Sequence, residues 1–145
     1  MILLSSEIEF EFINRIEMNK LIIDVVNEKI FLVVITTFSI YNITHENTKI
    51  NYEKLTIIIH DFLLSKNLKI ADINTIYINQ GLGSFAGLRN SISVVKAFNV
   101  AKNIDYYCYN LDDFKDEKDL SYENMPNLCK KYKIKKNLIN PIHLS

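Results

Sequence analysis

Glycine, proline and cysteine are scarce in this chain of 145 residues, and tryptophan is absent. The sequence has three glycines, two prolines and two cysteines. So few cysteines exclude a fold built on disulfides. The cysteines and histidines do not fall at metal-ligand spacings. These residues are Cys108, Cys129, His45, His60 and His143. We therefore predict no metal site and no bound cofactor.

Net charge is also lacking, because 17 Lys and Arg offset 17 Asp and Glu. A neutral chain releases few counterions, which excludes a protein held to nucleic acid mainly by its overall charge. Hydrophobic residues make up 48% and charged residues 23% of the chain, a balance that is not typical of disorder. The length predicts one domain with a continuous core.

Long apolar runs are missing, and the longest, residues 30–35 (IFLVVI), is too short to cross a bilayer. Residues 1–17 lack the basic start and the small-residue cleavage site of a signal peptide. We therefore expect a cytoplasmic protein without membrane contact. We interpret residues 1–17 as an N-terminal extension that precedes Met18.

Periodicity predicts the secondary-structure elements that follow Met18. Short β-branched runs indicate strands, and apolar spacings of three and four indicate amphipathic helices. Asn51 is the expected N-cap of the first helix. The predicted order is strand, strand, strand, helix, strand, helix, strand, over residues 20–26, 29–36, 39–43, 51–67, 75–79, 85–98 and 104–110. This order predicts an α/β fold, a mixed sheet flanked by helices, like a ribonuclease-H-like lobe of the actin, hexokinase and Hsp70 superfamily.

All three glycines lie within residues 79–89 (NQGLGSFAGLR). Their spacing matches neither the phosphate loop G-x-x-x-x-G-K-[ST] nor the dinucleotide motif G-x-G-x-x-G. We interpret the segment as a turn, with Gly83 at a positive φ and Ser84 capping the next helix. A cation in a first helical turn opposes the helix dipole, so we expect Arg89 to meet a carboxylate or a partner. The loop residues are Gly81, Gly83, Ser84 and Gly87.

Residues 81–89 (GLGSFAGLR) resemble the G-P-G-S-F-T-G-L-R signature of the TsaB (YeaZ) family, with seven of nine letters kept. Residues 21–24 resemble the family's first strand. Residues 51–79 resemble its first helix and fourth strand. Residues 140–144 (NPIHL) resemble its closing P-x-Y-L. The resemblance implies a shortened member whose second lobe is largely missing. Its predicted parts are a lobe, a charged linker, and a C-terminal helix with a tail, over 18–111, 112–122 and 123–145.

The resemblance also implies a function. TsaB is the non-catalytic subunit of a complex that makes threonylcarbamoyladenosine next to the tRNA anticodon. It pairs with TsaD, which carries the metal and transfers the group, and TsaE binds at their junction. We expect a scaffold without catalytic residues, whose contact with tRNA is weak or indirect. Near Asp24 the first strand lacks the glycine that nucleotide-binding relatives use, so we expect no tight ATP binding.

Two helices carry more apolar residues than one core-facing stripe holds. Residues 57–59 are three successive isoleucines, which spread around a helix and cannot all face one sheet. In the family these two helices pair with TsaD, or with a second copy when the protein is alone. The predicted partner-binding residues are Ile57, His60, Asp61, Leu64, Arg89, Val94, Ala97, Phe98 and Ala101.

Other functions stay open at this point. A ribonuclease-H-like nuclease needs a cluster of carboxylates for two metals, and Asp24 and Glu53 are two candidates. The fourth strand ends in Asn79 and Gln80, which bring no charge to a divalent cation. A stand-alone homodimeric interaction domain is a third possibility. Residues 126–136 (PNLCKKYKIKK) predict a short helix whose lysines are solvated, with RNA contact as the less favoured alternative.

Overall fold

The computed structural model describes residues 19–81 and 86–139, and its centre is one five-stranded sheet. The sheet order is β3-β2-β1-β4-β5. Strands β1 to β3 pair antiparallel, whereas β4 and β5 run parallel to β1. This is the mixed sheet that the order of elements predicts. The strands are β1 (Lys20–Asp24), β2 (Lys29–Ile35), β3 (Ile40–Glu46), β4 (Thr75–Asn79) and β5 (Asp105–Tyr109).

Within the described residues the sheet is accompanied by four α-helices: α1 (Lys49–Glu53), α2 (Leu55–Ser65), α3 (Ala86–Lys102) and α4 (Met125–Lys131). The prediction of one helix over residues 51–67 is wrong, because Lys54 interrupts it with φ −100° and ψ 16°. Asn51 is also not the N-cap. Thr48 caps α1 instead, where its side chain accepts a hydrogen bond from the Asn51 N–H. None of these helices is long and apolar enough to span a membrane within the described ranges.

One face of the sheet, here called the helix face, is covered by α2 and α3. Alternate strand residues such as Leu21 and Ile23 point to this side, as the two-residue period of a strand requires. They pack against buried side chains of α2 and α3, which are Leu55, Ile59, Phe62, Leu63, Leu88 and Val95. This largely aliphatic cluster is the larger of the two cores in the described part of the chain.

The opposite face, here called the tail face, is covered by the chain that follows β5. Its strand residues include Ile22, Val33 and Tyr77, which pack against Met125 and Leu128 of α4. The predicted charged linker differs from the structure at its start. Residues Leu111–Phe114 form a 3₁₀ helix, and the Phe114 ring is buried at 1% exposure against the sheet.

The chain after α4 returns to the edge strand β5. Asn137 donates its backbone N–H to the Tyr106 carbonyl (2.7 Å), and its side-chain oxygen accepts from the Tyr106 N–H (2.8 Å). Helix α4 itself begins at Met125, so Pro126 lies inside its first turn, where proline is tolerated. The tail therefore packs on both the tail face and one edge of the sheet.

Candidate partner-binding surface

Helix α2 has a buried side and an exposed apolar side. Ile59 and Phe62 are buried against the sheet, as their spacing predicts, and Ile58 is half-buried against the same core. Ile57 and Leu64 are 58% and 54% exposed. These two isobutyl-sized side chains therefore remain in solvent, although burial of each would be favourable by about 1.5–3 kcal/mol.

His60 and Asp61 are both exposed on α2. They lie on the side of the helix that the sheet leaves uncovered. The sequence predicts that both residues lie beside Ile57 and Leu64. In the structure all four side chains are exposed. Their role in binding a partner stays a prediction.

Helix α3 divides its apolar residues less sharply. Leu88 and Val95 are buried, and Val94 and Phe98 are half-buried because they pack against the core of the helix face. Val94 and Phe98 thus support the fold as well as the surface. The small residues Ala97 and Ala101 are exposed. Val100, which the sequence analysis did not single out, is 85% exposed.

A groove of about 240 Å³ joins the two helices. Ile57 and His60 of α2 line it on one side, and Phe98 of α3 lines it on the other. Ile70, from the 3₁₀ helix Ile70–Asp72, also lines the groove. No helical or strand period covers Ile70 in the sequence, so its contribution to the groove was not predicted. Apolar side chains from three elements thus form one concave surface.

Arg89 lies in the first turn of α3 as described and is exposed. Its guanidinium forms no ion pair with a carboxylate of residues 19–81 or 86–139. The expected internal carboxylate is therefore not found in this part of the chain. Contact with a partner is the alternative that stays open.

The glycine loop begins with a turn at Gly81, whose backbone is in the left-handed region that glycine adopts freely. Its φ is +59°, and a Cβ there would lie 2.9 Å from two methyl carbons of Val26. The Gly81 N–H donates to the Asn79 side-chain oxygen (2.9 Å), and its carbonyl accepts from Asn110 Nδ2 (3.2 Å). Gly83 and Ser84, to which the sequence assigned the positive φ and the cap, lie outside the described residues. Gly87 is buried inside α3.

Asp24 ends β1 in a buried polar cluster on the tail face. Its Oδ2 accepts hydrogen bonds from Asn79 Nδ2 (3.2 Å) and from the Tyr122 hydroxyl (2.9 Å). Its Oδ1 accepts from the Val26 N–H (3.1 Å). Desolvation first, and the neighbouring Asp24 charge second, raise the pKa of Tyr122, which keeps this hydroxyl a donor. Both carboxylate oxygens are thus engaged by the protein itself.

The other nuclease candidate, Glu53, is exposed at the end of α1. It pairs with Lys49 of the same helix, with 4.0 Å between Nζ and Oε1. No group of three or more His, Cys, Asp or Glu side chains placed to hold a metal is found in the described parts of the chain.

Comparison with known proteins shows a likeness of fold. No protein-family model and no curated protein matches the sequence. One solved structure that resembles this chain is YeaZ from Pseudomonas aeruginosa, and a second is described as an uncharacterized protein with similarity to peptidase YEAZ from the same organism. Each aligns with a TM-score of 0.58 and 17% sequence identity, over 63% of this chain and 43% of that chain.

This chain therefore spans less than half the length of either solved structure. The shared part is the five-stranded mixed sheet with its flanking helices, which is the ribonuclease-H-like lobe of YeaZ. The predicted fold class is confirmed. At this identity the likeness concerns the fold, and the role of the surface between α2 and α3 is a separate question.

Proposed function

We propose that this chain is a non-catalytic scaffold subunit that binds a TsaD-type protein through α2 and α3. In this proposal it serves threonylcarbamoyladenosine modification of tRNA, and TsaE joins at the junction of the two subunits. The observation that carries the proposal is the groove between Ile57 and Phe98, on a lobe that shares its fold with YeaZ.

The chemistry of the groove suits a protein partner. Exposed apolar side chains that lie together on one surface mark interfaces more often than scattered ones do. Ile57 and Leu64 are such side chains on α2. His60 and Asp61 add polar groups beside them, which is the usual composition of an interface core with a polar rim.

The small residues of α3 add a second reason. Ala97 and Ala101, four positions apart, lie on one side of the helix and are exposed. Side chains this small let a helix of another protein approach closely. The exposed Ile57 and Leu64 of α2 and the small residues of α3 together match a helical partner. Arg89, near the start of α3, offers a cation to an acidic group on that partner.

The engagement of Asp24 favours a scaffold over a nuclease. Its two carboxylate oxygens accept three hydrogen bonds from the protein. A metal ligand at this position would have to lose the Tyr122 and Asn79 contacts first. The neighbouring Asn79 brings an amide to the place where a two-metal nuclease needs a second carboxylate.

Co-purification with TsaD from the same organism tests the proposal. We expect the tagged chain to retain TsaD, and the complex to form with equal amounts of the two proteins by mass. Light scattering measures the mass of the chain alone and so shows whether it forms a homodimer. A stable homodimer that does not exchange with TsaD would overturn the scaffold role and favour the stand-alone interaction domain.

A further inference from the structure

A second pocket, of about 420 Å³, lies on the tail face between α4 and the sheet. Strands β1, β4 and β5 contribute Lys20, Tyr77 and Tyr107 to it. Helix α4 and the residues after it contribute Lys130 and Lys133. This Lys–Tyr pocket is on the opposite side of the sheet from α2 and α3, so it is separate from the proposed partner surface.

The charge around the Lys–Tyr pocket has one sign. Lys20, Lys130 and Lys133 line it, and none of its described lining residues is acidic. Nearby lysines are neutralised, because Lys131 pairs with Glu117 and Lys136 pairs with Asp105. The three pocket lysines have no such ion pair among residues 19–81 and 86–139. The chain is neutral overall, but this pocket carries local positive charge that attracts an anion.

Aromatic rings line the same pocket. Tyr77 and Tyr107 stack across neighbouring strands, with ring centroids 5.2 Å apart and planes 12° apart. Tyr77 is nearly buried, whereas Tyr107 is half-buried on the edge strand β5. The part of the Tyr107 side chain that stays accessible lines this pocket. A flat ligand group has room to stack there.

We propose that the Lys–Tyr pocket binds one nucleotide unit of a single-stranded nucleic acid. The base stacks on Tyr107, and Lys130 and Lys133 contact the phosphates on either side of it. Aromatic rings beside lysines are how proteins hold single strands without sequence preference. An acidic peptide would pair with the lysines, but it offers no planar group to stack on the Tyr107 ring. A lone nucleotide contacts fewer lysines than a strand does, so it binds more weakly.

Fluorescence anisotropy with labelled oligouridine and oligothymidine tests the proposal. Lys130→Glu with Lys133→Glu should weaken binding by about tenfold or more, because two phosphate contacts are lost. The same double variant should lower the slope of log affinity against log salt by about 1.4, the value for two phosphates of a single strand. The matched control is Lys115→Glu with Lys118→Glu, which changes the charge equally at exposed positions outside the pocket.

The stacking part has its own variant. Tyr107→Leu should weaken oligonucleotide binding while Tyr107→Phe keeps it, and thermal melts should show that both variants fold. Equal affinity for the RNA and DNA strands would mean that the pocket contacts only the base and the phosphates. Tighter binding of the RNA strand would mean that the pocket also contacts the ribose.

Three results would overturn the proposal. One is wild-type binding weaker than about 100 µM at physiological salt, the weak end of non-specific binding. Another is an equal loss of affinity in the control double variant, which means that overall charge alone acts. The last is a polyglutamate peptide that competes as strongly as the oligonucleotides do.

Discussion

The two faces of the sheet are covered in different ways. On the helix face, α2 and α3 bury a continuous aliphatic cluster in which Leu21 and Ile59 are fully buried. On the tail face, tyrosines and a buried carboxylate take part, and Tyr122 reaches Asp24 across 98 residues of sequence. Stability on the helix face thus comes from apolar area removed from water, whereas the tail face adds individual buried hydrogen bonds to its apolar packing.

The difference also separates the proposed functions. The helix face has apolar residues left over on its outer side, at Ile57 and Leu64, and these suit a protein partner. The tail face has lysines left over around its tyrosines, and these suit an anionic strand. The same sheet therefore presents two chemically different surfaces, which substitutions on either side should affect independently.

The largest expected effect is on the helix face, within α2. Ile59→Ala should lower the free energy of unfolding by about 2–5 kcal/mol, because it leaves a cavity in the core. Ile57→Ala, two positions away and exposed, should change it by no more than about 0.5 kcal/mol. Urea unfolding of both variants measures the contrast. Equal losses would mean that the two sides of α2 do not differ as described.

A smaller effect is expected from a hydrogen bond on the tail face. Tyr122→Phe removes the donor to the buried Asp24 carboxylate and should cost about 1.5–3 kcal/mol. Tyr109→Phe is the matched control, since the buried Tyr109 hydroxyl has no hydrogen-bond partner within the described chain. Its loss should leave stability unchanged or slightly higher. Thermal melts that show the reverse order would contradict the assignment of Asp24 and Tyr122.

Gly81 lies two residues after β4, at the start of the glycine loop. Gly81→Val should cost about 1–3 kcal/mol, because a β-branched residue is strained at φ +59°. The added Cβ would also lie 2.9 Å from the methyl groups of Val26, whose stiff side chain has few other rotamers. Denaturant unfolding measures the cost. An unchanged midpoint would show that the chain after β4 turns without this conformation.

The smallest effect concerns the two thiols, one on each face. Burial raises the pKa of both Cys108 and Cys129 from 9.0 to about 12, so the folded protein favours the neutral thiols. Their contribution to stability is full below pH 9 and is lost as the pH rises from 9 towards 12. We expect neither thiol to react with a thiol reagent at pH 8 until the chain unfolds. Rapid reaction of one thiol in the folded protein would show that this thiol is accessible to solvent and not buried as described.

Much of the helix face was predictable from sequence. The two-residue period of β1 and the three- and four-residue spacing of Ile58, Ile59 and Phe62 predict which side chains face inward, and the order of elements predicts a mixed sheet flanked by helices. The break at Lys54 was not predictable, because apolar periodicity runs through it.

The tail face was harder to predict for a physical reason. The 3₁₀ helix Leu111–Phe114 lies in a charged stretch, and only the tertiary contacts of Phe114 reveal it as part of the core. The positive φ at Gly81 was not predicted, because the sequence does not show how closely Val26 approaches this position. The prediction of a positive φ at Gly83 lies outside the described residues. Ile70 in the groove was missed because three residues of 3₁₀ helix carry no usable period.

The affinity of the chain for TsaD, measured by calorimetry, tests the proposed partner surface most directly. Ile57→Asp should weaken binding by at least about 2 kcal/mol, or roughly 30-fold, and leave folding intact. Phe38→Asp is the matched control, because Phe38 is 88% exposed in the β2–β3 connection and does not line the groove. The predicted result is loss of affinity in the first variant alone. Wild-type affinity for Ile57→Asp would contradict the assignment of this surface to the partner.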